Sequence, residues 1–180
     1  MSVLTPAGPV KPVAAIFSAE RKFLAAAAAE WEKIVGVLDY AGREMLFDRT
    51  DFYHEEMGGP LYKRFFAAEA LVDPEFLVEI KVRSMELERK WTVEGRRGVN
   101  IDPGYISAER LVLSTGKNWI HRIYLGRGVY ADLTLIFEKG GFRALPWTYP
   151  DFASPEALEV MADIRKKFLM QIRMQKMEKA

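Results

Sequence analysis

Pro12 to Phe17 (PVAAIF) is an uninterrupted apolar run, the pattern of a strand covered on both faces. Ser18 then stands where a helix cap belongs. Leu24, Ala27, Ala28, Trp31 and Ile34–Val35 recur at helical spacing and predict a helix over 19–35, ended by Gly36. Residues 37–47 read as extended with a turn at Ala41–Gly42, and 48–60 as a loop or short helix. Residues 61–72 (LYKRFFAAEALV) are ambiguous by period, and their length and aromatics favour a strand. Asp73-Pro74 pairs a cap residue with a proline at the first helical position. Leu77, Ile80, Ser84, Leu87 and Trp91 follow at steps of three and four, predicting a helix over 74–93.

Beyond Gly98 the period changes. Residues 110–115, 120–125 and 129–138 are β-rich, and Gly126-Arg127-Gly128 separates the last two as in a hairpin. In the third run Val129, Ala131, Leu133, Leu135 and Phe137 alternate onto one side. Gly140-Gly141 turns the chain into 142–145. Ser154-Pro155-Glu156 opens a last helix with the stripe Ala157, Val160, Met161, Ile164, Phe168 and Ile172.

The order β-α-β-β-α, then several strands, then a helix, predicts an α+β protein. Its core would be a ferredoxin-like split β-α-β unit, with an extended, mostly antiparallel sheet and a C-terminal helix. A single domain is expected over 12–180, with residues 1–11, which hold two prolines, as a flexible tail. Apolar residues at 49% and charged residues at 28% exclude a disordered or collagenous chain. The absence of cysteine excludes disulfides, thiolate metal sites and thiol nucleophiles. With no apolar run of membrane-spanning length and no basic signal region, a soluble cytoplasmic protein is expected. A formal net charge of +1 gives no bulk attraction to nucleic acid or anionic membrane.

The nucleotide and nucleophile motifs fail on their own terms. Gly116-Lys117 follows a strand, but Leu111 stands where a phosphate loop needs its first glycine and Asn118 where it needs Ser or Thr. Gly126-x-Gly128-x-x-Ala131 runs into a strand pattern rather than the helix a dinucleotide site requires. Ser114 and Thr115 lie near His121 in sequence without a nucleophile-elbow pattern.

Four segments concentrate polar chemistry near glycines and prolines. Residues 48–58 pack Asp48, Asp51, Glu55 and Glu56 around His54, an oxygen-rich set suited to Mg²⁺ or Mn²⁺. In residues 96–105, Asp102-Pro103-Gly104 reads as a tight turn, with Asn100 and Asp102 projecting to one side if the stretch is extended. In residues 117–124, Arg122 and Tyr124 share a strand face, His121 takes the other, and Lys117 lies in the turn before them. In residues 146–151 Trp147 and Tyr149 stand between prolines as a rigid platform. Glu69 and Asp132 are carboxylates inside apolar runs. Each needs a partner, for which Arg122 and Lys81 are the candidates.

Together these predict one site for a small anionic ligand, bearing phosphate or carboxylate. Arg97, Asn100, Lys117, His121 and Arg122 hold the anion. Asp48, Glu56 and Asp102 bind a divalent ion or act as general base, with His121 as a further acid–base group. Tyr105, Trp147 and Tyr149 shape the pocket. The residues leave open whether the site is catalytic. Two alternatives stand beside it: a homo-oligomeric interaction protein using the Met-rich end (Met161, Met170, Met174, Met177), and a less favoured RNA-binding module using strand aromatics beside Arg and Lys.

The ordered motifs also resemble a bacterial family, domain of unknown function 4416. The similarity runs through Phe47-Asp48-x-Thr50, Tyr53-x-x-Glu56-Met57-Gly58 and Arg97-x-Val99-Asn100-Ile101-Asp102-Pro103-Gly104-Tyr105. It continues through Leu111-Val112-Leu113 with Lys117, His121-Arg122-Ile123-Tyr124-Leu125, Tyr130-Ala131 and Trp147-Thr148-Tyr149-Pro150-Asp151. It covers about residues 12–173 and implies no assigned activity.

Overall fold

The structure is a computed structural model, and it describes residues 3–47 and 54–178. At its centre lies β1 (Lys11–Ser18), whose residues are all buried. Antiparallel neighbours flank it: β4 (Leu61–Ala68) on one side and β7 (Asn100–Ile106) on the other. The chain reaches β4 through α1 (Arg21–Val35), β2 (Leu38–Ala41), β3 (Met45–Phe47) and the short α2 (His54–Met57). It reaches β7 through a 3₁₀ turn at Pro74–Phe76, α3 (Leu77–Lys90) and a small hairpin of β5 (Thr92–Val93) with β6 (Arg96–Arg97). Then follow β8 (Arg110–Thr115), β9 (Arg122–Gly126), β10 (Val129–Glu138), β11 (Gly141–Ala144) and α4 (Pro155–Glu178).

Among the described residues nine strands form one antiparallel sheet in the order β11-β10-β8-β7-β1-β4-β2, with β3 beside β4 and β9 beside β10. Helices cover both faces. Ala14 and Ile16 of β1 pack with Phe66, Ile101, Trp31 and Ile80 under α1 and α3. Val13 and Ala15 pack with Phe65, Leu111, Leu135, Val160 and Ile164 under α4. This two-sided cover is why β1 is apolar from Pro12 to Phe17, since alternate residues feed two different cores. No helix among the described residues is long and apolar enough to cross a membrane.

Several boundaries differ from the sequence reading. Lys11, read as part of the tail, is the fully buried first residue of β1, and Val10 is bridged to Val72. The Lys11 ammonium donates to Asp39 (3.0 Å), the Ala68 carbonyl (2.6 Å) and Gln171 (2.9 Å). Burial pulls its pKa down while Asp39 opposes the shift. β4 stops at Ala68, so Glu69 is exposed and needs no buried partner. Helix α3 ends at Lys90, not near residue 93.

Two corrections bear on the site. Asp102-Pro103-Gly104 is not a tight turn but the middle of β7, held straight by pairing of Asp102 with Ala15 and Pro103 with Ala14. Tertiary pairing overrides the local turn preference. In β10 a bulge between Leu133 and Leu135 shifts the register against β8. One extra residue inverts the inside–outside alternation. Asp132, opposite Leu113, therefore turns inward with Leu135, and the alternation of Ala131 and Leu133 with Leu135 onto one side does not hold.

Candidate functional site

β7 and β8 pair only from Gly104–Leu113 to Ile106–Leu111, and beyond Gly104 they part. The sequence accommodates the split. Pro103 has no N–H to offer a neighbour, and its carbonyl accepts from the Ser114 hydroxyl at 2.8 Å. The Ile101 N–H donates to Glu88 Oε1 at 2.6 Å, and Lys81 Nζ reaches within 3.5 Å of the Ile101 carbonyl. Side chains from α3 thus satisfy backbone groups that β8 leaves unpaired. The space between is a cleft of about 610 Å³. Lys81, Met85 and Glu88 of α3 line it, together with Arg97, Asn100 and Asp102, residues 114–117 at the end of β8, Arg122, Asp132, Tyr149 and 150–152. Phe17 and Phe47 supply an apolar end.

Two networks fix its walls. In the first, the Arg97 guanidinium grips both oxygens of Glu56 (3.0 and 2.8 Å) and donates from Nη1 to Asn100 Oδ1 at 2.6 Å. A guanidinium only donates, so Asn100 must turn its oxygen to Arg97 and its amide nitrogen away. That nitrogen is buried and has no hydrogen-bond partner among the described residues. In the second, Arg122 Nε donates to Asp132 Oδ2 at 2.8 Å, Nη1 to the Lys117 carbonyl at 3.0 Å and Nη2 to the Tyr149 hydroxyl at 3.2 Å. Burial opposes the Arg122 charge, but the bonds to Asp132 and Tyr149 outweigh it and hold its pKa above the usual value.

The β10 bulge also seats the aromatic loop. The Trp147 indole N–H donates to the Leu133 carbonyl at 2.8 Å, and the Thr148 hydroxyl donates to the Thr134 carbonyl at 2.5 Å. Both carbonyls flank the register shift, so the loop after β11 satisfies what the ladder gives up. The Trp147 ring stacks on His121 with centroids 4.9 Å apart.

The family model described as Domain of unknown function (DUF4416) matches residues 8–168. The chain belongs to this family. The matched span contains every described residue that lines the cleft and excludes Met170, Met174 and Met177. No curated protein and no solved structure matches the chain.

Of the residues singled out in the sequence, Arg97, Asn100, Asp102, Lys117, Arg122 and Tyr149 line the one cleft. Glu56 is not in its lining; both of its carboxylate oxygens are held by Arg97. Asp48 lies outside the described residues. His121 is not on the face opposite Arg122: it sits in the turn before β9, where strand alternation does not apply, and its Nε2 lies 3.2 Å from Asp132 Oδ2. Trp147 covers it. Tyr105 follows Ile101 and Pro103 onto the α1/α3 face, away from the cleft lining, and burial raises its pKa. Among the described residues no group of three His, Asp or Glu side chains is placed to share a metal ion.

Sequence reading missed Lys81, Glu88 and Lys63 as site residues. Lys81 and Glu88 fall four residues after Leu77 and Ser84 of the apolar stripe, so spacing alone places them on the buried side of α3. Lys63 is buried beside the Phe47, Phe65 and Phe152 rings and paired with Asp151 of the cleft wall.

Glu88 yields a pH prediction. Burial raises its pKa above 4.5 and the Asp102 charge adds to this, while Lys81, the Ile101 N–H and Arg97 pull it back. A carboxyl with a raised folded pKa favours folding below its unfolded value, and that contribution is lost as pH rises through the folded value. Glu88→Gln keeps an acceptor for Ile101 and removes the titration. The melting temperature of the parent relative to E88Q is therefore expected to fall as pH rises from the ordinary carboxylate range toward neutrality. Parallel melting curves over that range would contradict it.

Proposed function

We propose that the cleft binds a small ligand carrying an anionic group, phosphate or carboxylate. The Asn100 amide nitrogen carries this reading: it is a buried donor on the cleft wall without an acceptor among the described residues. Such a group costs about 1–3 kcal/mol, which a bound acceptor recovers. Lys81, Arg97, Lys117 and Arg122 also line the cleft and supply cationic donors for the anionic group. The Asp102 carboxylate makes no hydrogen bond or ion pair among the described residues. It is the group to accept a ligand hydroxyl, to take a proton from it, or to contribute to a divalent cation site.

We also read β1-α1-β2-β4-α3-β7 as a ferredoxin-like core. Its support is the order β7-β1-β4-β2, in which β4 lies between the two strands that α1 connects.

Titrating isotope-labelled protein with inorganic phosphate and, separately, succinate tests the ligand reading by NMR. One of the two is expected to move the Asn100 side-chain amide resonances saturably. Lys81→Met is expected to weaken that binding at least tenfold, ~1.4 kcal/mol. An Asn100 amide that moves with neither probe at millimolar concentration would sink it.

A further inference from the structure

We propose that two copies of this chain join through the outer edge of β9, an antiparallel strand pair that continues each sheet into the other. β9 pairs only with β10 among the described residues, so its other edge presents unpaired N–H and C=O groups. Its side chains and those of the turn before it are apolar and open: Trp119 is 66% exposed, Ile120 97%, Ile123 70%, Tyr124 58% and Leu125 41%. Edge strands normally carry lysine, proline or an inward charge as protection. Here the strand reads Arg-Ile-Tyr-Leu-Gly, and the charge of Arg122 is already engaged by Asp132 on the cleft side.

The pattern selects a second copy over a different partner. A twofold axis at Tyr124 sets Ile123 opposite Leu125 of the other copy and Tyr124 opposite itself, so apolar meets apolar throughout. No charge remains along the run to encode another partner. The area is adequate too. With a whole aromatic side chain worth ~150–250 Å², covering the exposed parts of these five removes on the order of 600 Å² per copy. A standard interface needs ~800 Å² per partner, and strand hydrogen bonds add to the side-chain cover.

Sedimentation velocity over a concentration series tests this on the full chain. The parent protein is expected to approach twice its 20.6 kDa chain mass. Ile123→Lys is expected to raise the dimer dissociation constant at least tenfold, and Met174→Lys, on the exposed end of α4, to leave it unchanged. Ile123 is mostly exposed, so the variant should keep the parent's circular dichroism and melting temperature. A parent protein that stays monomeric at high concentration overturns the proposal. So does a dimer insensitive to Ile123→Lys, or one that Met174→Lys dissociates instead.

Discussion

Replacing Asp132 by alanine is expected to destabilise the protein by about 3–5 kcal/mol, the loss typical when one member of a buried ion pair is removed. The Asp132 side chain is 8% exposed. Its Oδ2 accepts from Arg122 Nε and lies within reach of His121 Nε2, while Oδ1 lies 3.4 Å from the Thr134 hydroxyl. Alanine leaves the Arg122 guanidinium buried with its charge unmatched. Two contrasts separate charge from packing. Asp132→Asn keeps an acceptor for Arg122 and should cost roughly half as much. The double variant Asp132→Leu, Arg122→Met removes both charges and should recover most of the stability, because apolar replacements of a buried pair are often neutral or better. Urea denaturation of the three variants measures these differences. Arg122 also ties the Tyr149 hydroxyl and the Lys117 carbonyl to this side of the cleft. Amide exchange over residues 145–152 should therefore accelerate in Asp132→Ala. A loss below ~1 kcal/mol would mean that water already reaches the pair.

What the sequence revealed of this site, and what it hid, follow from the range of the forces involved. β1, the α1 stripe and the α4 stripe are set by local periodicity, and each appears where the pattern of apolar residues puts it. Asp132 is legible as a carboxylate that needs a partner, with Arg122 and Lys81 as the two candidates, since a charge in an apolar run demands compensation; Arg122 is the one it meets. The inward turn of Asp132 is not legible. It depends on a bulge whose carbonyls are satisfied by Trp147 and Thr148, and no local pattern around residue 134 announces those partners. The path of β7 is hidden for a similar reason. Asp-Pro-Gly favours a turn when considered alone, and only pairing with β1 extends it. Lys81 and Glu88 were legible in principle, because helical spacing puts them beside the buried stripe. Charged residues next to such a stripe are usually solvated, and these are not because the open edge of β7 needs their hydrogen bonds.

Gly104→Ala is the second change expected to have a large effect, because Gly104 sets how closely β7 and β8 approach at the mouth of the split. A Cβ there would lie 2.3 Å from the Val112 carbonyl oxygen, 2.8 Å from Leu113 Cδ2 and 3.1 Å from Leu113 Cα. Carbon–oxygen contacts normally fall at ~3.3–3.6 Å, so the strands must separate by roughly 1 Å. The obstructing oxygen is backbone, and no side-chain rotation relieves it. Gly104 begins the short pairing that reaches Ile106, so separation at this point strains the first ladder hydrogen bonds as well. Overpacking costs typically ~1–3 kcal/mol and each lost hydrogen bond about 1 more, giving an expected loss of about 3 kcal/mol. Gly116→Ala is the control on the same cleft, since its Cβ would meet nothing within 4 Å. It should stay within about 0.5 kcal/mol of the parent. The two variants also differ in binding. Widening the β7–β8 gap moves Asn100 and Asp102 away from Ser114 and Lys117, so Gly104→Ala should weaken phosphate or succinate binding while Gly116→Ala preserves it. Urea denaturation and the Asn100 amide titration measure both effects on the same samples. If Gly104→Ala proves as stable as the parent, β8 yields without cost and the contact at Val112 does not set the width of the cleft.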